Sequence, residues 1–383
     1  MGRVIAASLL VGVVFLLPSV TQSTNLAAAG PQARRDPERK ATGPAAIRAD
    51  ELTESGRLAF IRSAQVWMPT DIPNMNLREG PRGAGQFQPN ELVICDYVDE
   101  PRHGTSPKFS CLLAGGDIVK VRYGANNGEV PGSVLATRLL WALGFAADRV
   151  YPVRVKCHGC SADPWNSRGH ADQINDFEPA VIERKPAGHE MSQDKKRPGW
   201  AWTELDLVDE EQGGAPQAHR DALKLLAVLM QHTDSRSQQQ RLLCLPGGLT
   251  SSGQCEKPFL MLHDVGKTFG HANIFNRMGP GSVNFDAWAR TPVWSNRTGC
   301  VGHLSKSFTG TLGSPHISEA GRQFLAQLLR QLTDQQIYDL FEIAGVAQRT
   351  VRVTGGRLSP SVEDWVAAFK SKRDQIATRR CAG

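Results

Sequence analysis

The chain has 383 residues, 40% of them apolar and 21% charged, with a formal net charge of +6. That length allows about two to three domains and a sizeable core, and a mean hydropathy of −0.31 excludes a polytopic membrane protein. Acids and bases intermix without a Lys/Arg block to mark a nucleic-acid face, and there is no heptad, Gly-X-Y period or long tandem repeat.

The N-terminus reads as an address. Arg3, the apolar run Val4 to Leu17, Pro18 and the small polar stretch Ser19–Ser23 have the layout of a secretory signal peptide over residues 1–23. The run falls short of the roughly 20 apolar residues that span a bilayer; the alternative is an uncleaved anchor helix. Residues 24–52 show no apolar periodicity and read as a disordered linker. The expectation is an exported protein, periplasmic or extracellular, without a membrane span after cleavage.

Residues 53–90 form an N-terminal extension with a short helix in Thr53–Trp67. Strands follow at Leu92–Tyr97, Lys108–Leu113 and Asp117–Tyr123, the last two joined by the turn signal Ala114-Gly115-Gly116. Ser133–Gly144 reads as a helix closed by its terminal glycine, and Val150–Lys156 and Pro179–Arg184 as further strands. Beyond residue 186 the texture is helical. Leu223, Leu226, Ala227 and Met230 share one face of Ala218–Gln231, and Leu325, Leu328, Leu329 and Leu332 repeat that spacing. Thr333 and Gln336 form a capping-box signature, Ser361 starts a last helix, and Phe259–His263 is a short apolar strand. The expected class is α+β, with a β-rich lobe at 91–186 and a mainly helical lobe at 187–383.

Eight cysteines in an exported chain point to disulfides, although 105 pairings are open. Cys244 and Cys255 flank a Gly/Ser-rich loop and are natural partners; Cys95 with Cys111 would join two strands of the first sheet. Cys157 and Cys160 form a C-x-x-C that admits a structural disulfide, a zinc site or a redox dithiol. No second close pair supports a four-cysteine zinc site.

Three segments carry the chemistry. His232-Thr233-Asp234 is followed by Gln239, five residues beyond the aspartate, at the end of an amphipathic helix. Leu262-His263-Asp264-Val265-Gly266-Lys267-Thr268-Phe269-Gly270 closes a short apolar strand, and Lys120 lies inside the strand Ile118–Val121. Phosphoryl transfer needs a carboxylate near the attacking hydroxyl, oxygen ligands for a divalent metal and a cation on the phosphates. Asp234, Asp264 with Gln239, and Lys120 supply those groups.

H-T-D-x-x-x-x-Q followed by D-V-G resembles the kinase catalytic loop H-R-D-x-x-x-x-N and its D-F-G. The stretch Leu262–Gly270 is more similar still to atypical kinases: the secretory-pathway kinases of the Golgi and the bacterial HipA-type kinases. The layout also resembles a family of exported bacterial proteins without a characterised activity. The resemblance covers roughly residues 91–344. It implies a bilobal protein-kinase-like fold, with Asp234 in the catalytic-base place, Gln239 and Asp264 on the metal, and Lys120 on the nucleotide phosphates. The helix after the lysine strand holds no acid, so Glu129, just before it, is the candidate partner of Lys120. It further implies Mg²⁺ or Mn²⁺ with ATP, and a protein or small-molecule hydroxyl as acceptor. The alternatives are a catalytically inactive kinase-fold binding or scaffold protein and, on Cys157 and Cys160, a thiol-redox protein.

Overall fold

The computed structural model describes residues 52–101, 104–191, 199–271, 283–305, 307–348 and 360–381. The signal-peptide assignment and residues 24–51 of the linker lie outside the described residues. Residues 47–383 form one compact unit.

Thr53 caps α1 (Glu54–Ser63) by accepting from the Gly56 amide. Five strands follow: β1 (Glu91–Val98), β2 (Lys108–Leu113), β3 (Ile118–Tyr123), then β4 (Arg149–His158) and β5 (Ile174–Arg184) after the helix α2 (Glu129–Ala142). They close into a barrel in the order β1-β2-β3-β5-β4. Every pairing is antiparallel except β1 with β4, which is parallel and closes the ring. Alternation builds it: Val119 and Val121 of β3 are buried in the barrel core with Phe109, Val153 and Phe177. The kinase resemblance implies an N-lobe here, and closure into a barrel is a departure from that expectation.

Helix α2 begins four residues earlier than its sequence pattern indicates. Pro131 sits in its first turn, where the missing N–H costs nothing. Gly132 is required by contact, since a Cβ there would lie 2.2 Å from the Gly266 carbonyl oxygen. The N-terminal extension closes the other end of α2. Trp67 Nε1 donates to Leu143 O at 2.8 Å and Thr70 Oγ1 to Ala142 O at 2.6 Å, satisfying carbonyls the helix leaves open. Gly144 follows at φ +85°, as its capping place requires.

A second sheet, β6 (His189–Glu190), β7 (Gln240–Cys244) and β8 (Pro258–Leu262), is antiparallel in that order. Around it lie α3 (Gln217–Met230), α4 (Phe285–Arg290), α5 (Glu319–Arg330), α6 (Asp334–Ile343) and α7 (Val362–Thr378). Ser318, Thr333 and Ser361 cap the last three, with capping boxes at α6 and α7. The leucines of α3 and α5 join α1, α2, Trp200 and Trp202 in one continuous core. The chain is of the α+β class. No described helix is long and apolar enough to cross a membrane.

All eight cysteines are paired: Cys95–Cys111, Cys157–Cys160, Cys244–Cys255 and Cys300–Cys381. The first and third are the pairings expected from sequence. The C-x-x-C forms a disulfide buried in the barrel core.

Candidate functional site

The site is built where β3, α2 and the turns after α3 and β8 meet. On β3, Val119 and Val121 face the barrel interior, so Lys120 and Arg122 share the opposite face. Arg122 is its centre. Its side chain is 1% exposed, yet it holds three carboxylates: Glu183 Oε2 and Asp264 Oδ1, each at 2.5 Å, and Glu129 Oε2 at 3.4 Å. Burial alone would lower the guanidinium's pKa, but Glu183, Asp264 and Glu129 together raise it. A buried charge is tolerated when it is paired in this way.

Glu183 stands opposite Lys120 across β3 and β5, and the two form an ion pair at 2.6 Å. Against the opposing effect of burial, Arg122 and then Lys120 hold the Glu183 carboxyl well below its usual range. Glu129 lies in the first turn of α2 and accepts from Ser106 Oγ at 2.6 Å. The acid therefore belongs to the helix. Its lysine-partner role is corrected: Glu129 pairs with Arg122, two residues beyond Lys120 on the same strand face.

Asp264 follows β8 at φ +51°, a left-handed conformation that a non-glycine residue adopts only when its surroundings impose it. The turn packs against the start of α2, where a Cβ on Gly266 would meet Glu129 Cβ at 2.9 Å. Its carboxyl is kept below the usual value by Arg122, which outweighs the upward push of burial.

Asp234 lies in the loop after α3, a helix that ends at Gln231 with φ +54°. Its carboxylate takes Lys267 Nζ at 2.8 Å, Arg236 Nε at 2.8 Å and Gln239 Nε2 at 3.4 Å. Burial would raise its pKa, and Lys267 and Arg236 bring it below the usual value. Lys267 belongs to the D-V-G-K-T turn, so this ion pair joins the two motif segments. Two backbone bonds reinforce the junction: the His263 amide donates to Gln239 O at 2.8 Å, and the Phe269 amide to Met230 O at 2.7 Å. His232 lies fully buried, ring 6.0 Å from Trp202, with neither ring nitrogen hydrogen-bonded among the described residues. Burial lowers its pKa to about 4 although Asp234 and Asp264 oppose that shift.

Each sequence candidate at the site, Lys120, Glu129, Asp234, Gln239 and Asp264, thus falls on an element that reaches this junction. Arg122 and Lys267 were missed. The signal for Arg122 was strand alternation, which places it on the Lys120 face; that for Lys267 was a basic residue directly after D-V-G. Lys120, Lys267 and Arg236 keep 33%, 26% and 39% of their side chains exposed, enough for cations to meet an anion from solvent. The oxygens of Asp234, Asp264 and Gln239 are hard donors suited to Mg²⁺ or Mn²⁺.

No protein-family model matches the chain, and no curated protein matches its sequence. Among solved structures, it is similar to CtkA, a proinflammatory kinase of Helicobacter pylori, with a TM-score of 0.41 and 8% identity over 76% of this chain and 97% of that one.

Proposed function

We propose that this chain is an exported atypical kinase-like phosphotransferase, bilobal about this junction, using ATP with Mg²⁺ or Mn²⁺. The observation that supports the reading most is the ion-pair centre at Arg122. One buried cation ties the strand carrying Lys120, the helix carrying Glu129 and the turn carrying Asp264, which aligns the parts phosphoryl transfer requires. Asp264 and Gln239 would hold the metal, which when bound neutralises charge on the phosphates. Lys120, partly exposed beside Glu183, would hold the phosphates. Asp234, ionised and oriented by Lys267 and Arg236, accepts the proton of the attacking hydroxyl. The acceptor is a hydroxyl of a protein or a small molecule. Four disulfides fit an oxidising compartment.

A second reading, an inactive kinase-fold binding or scaffold protein, is favoured by the cations already seated on Asp234 and Asp264. The thiol-redox reading is disfavoured because Cys157 and Cys160 are both fully buried, whereas an exchanging thiol needs access.

Thermal unfolding with and without Mg²⁺- or Mn²⁺-ATP separates the first two. Nucleotide at 100 times its dissociation constant adds about 2.7 kcal/mol to stability. Asp264→Ala should abolish the shift; Asp234→Ala should keep it while removing phosphate transfer. No shift in the wild-type protein would leave only the scaffold reading.

A further inference from the structure

Beside this junction lies a cluster that shares Glu183 with it and adds two residues, Asp148 and His263, to which the phosphotransfer reading gives no role. Asp148, in the bend before β4, His263, directly before the D-V-G turn, and Glu183 offer ligand atoms all within 4.8 Å of one another. We propose that Asp148, His263 and Glu183 bind a divalent transition metal of the zinc class, at a site separate from Asp234, Asp264 and Gln239.

The contacts show a cation site filled by substitutes. His263 Nδ1 lies 2.5 Å from Asp148 Oδ2 and 3.3 Å from the Lys185 ammonium. One nitrogen cannot serve both. Protonated, it donates to the carboxylate and opposes the lysine; unprotonated, it accepts from the lysine and opposes the carboxylate. Among the described residues, Asp148 Oδ1 is buried and accepts no hydrogen bond, and Lys185 lies 3.6 Å from it. An unsatisfied oxygen on a carboxylate only 2% exposed is costly unless a cation takes it. The anions are buried, and two of the cations beside them are movable, Lys185 at 52% exposed and Lys120 at 33%, while the buried Arg122 stays on Glu183 Oε2 and leaves Oε1 to a metal. A metal ion could therefore take the place of both ammonium groups, which have solvent to move into.

One imidazole and two carboxylates leave room for water, the ligand count of an open zinc site. The imidazole selects Zn²⁺ over Ca²⁺, which prefers six to eight oxygens. Taking Glu183 releases the partly exposed Lys120, so the site would also control whether that cation is free to meet an anionic ligand.

The test is calorimetric titration of the full chain with Zn²⁺, after chelator treatment and without nucleotide, so that it stands apart from the phosphotransfer reading. One equivalent should bind, and H263Q and D148N should each weaken it by about tenfold or more. K185M removes the competing ammonium and should tighten binding, an effect that damage to the fold would not produce. Ca²⁺ should bind at least about tenfold more weakly than Zn²⁺. Zinc uptake that is absent, or unchanged in H263Q, overturns the proposal. If H263Q and D148N fail to fold, K185M decides: affinity equal to or below wild type overturns it.

Discussion

Arg122→Leu is the most informative single substitution. It removes the guanidinium that joins Glu183, Asp264 and Glu129 and leaves three acids around an apolar side chain. Each acid keeps something: Glu183 its ion pair with Lys120, Glu129 the Ser106 hydroxyl, Asp264 a side chain 26% exposed. Breaking a buried ion pair costs about 3–5 kcal/mol, and the retained partners place the expected loss within that range at pH 7. Urea unfolding should show a lower midpoint at an unchanged slope. The pH dependence is the sharper reading. In the wild type, the depressed carboxyls of Glu183 and Asp264 contribute stability that is present above the unfolded carboxylate pKa and lost as pH falls through their folded values. Without Arg122, desolvation is left to push the same carboxyls upward, so the variant should gain stability relative to wild type as pH falls from 7 towards 4. Arg122→Lys restores one charge without the fork that meets several acids, and should recover only part of the loss. A variant with the wild-type midpoint at pH 7, or with the wild-type pH profile, would refute the account of this centre.

His232 is held neutral in the fold with a pKa of about 4, against 6.5 when unfolded. Acidification from pH 6.5 to 4 should therefore cost about 3 kcal/mol, and His232→Phe should lose that dependence in urea titrations at both pH values. Gly132→Ala places a methyl against the Gly266 carbonyl and should cost about 1–3 kcal/mol; a Tm equal to wild type would mean α2 does not press on the D-V-G turn. Cys300–Cys381 closes the longest loop, 81 residues, and Cys300→Ser with Cys381→Ser should cost about 4.5 kcal/mol by loop entropy, against about 2.8 kcal/mol for the 11-residue Cys244–Cys255 loop.

Local signals in the sequence determined most of the elements. β2 was placed at its observed bounds, β1, β3 and β8 within a residue or two, and α3, α6 and α7 followed from leucine spacing and from Thr333, Gln336 and Ser361. These rest on interactions among residues a few positions apart, which the order of the chain exhibits directly. The pairings Cys95–Cys111 and Cys244–Cys255 were legible for the same reason, whereas Cys300–Cys381 was not, because nothing local marks partners so far apart.

Tertiary structure decided the rest. Position 132 of helix α2 must be glycine because it admits the Gly266 carbonyl, a contact between residues 134 positions apart. β5 begins at Ile174 because β4 pairs with it that far, and the sheet closes because β1 reaches β4. The cation that organises the site is Arg122, and its choice over Lys120 could not be read from the strand, which displays both on one face. Only the fold brings Glu129, Glu183 and Asp264 around one of them, and a charge becomes central when burial removes the water that would otherwise screen it.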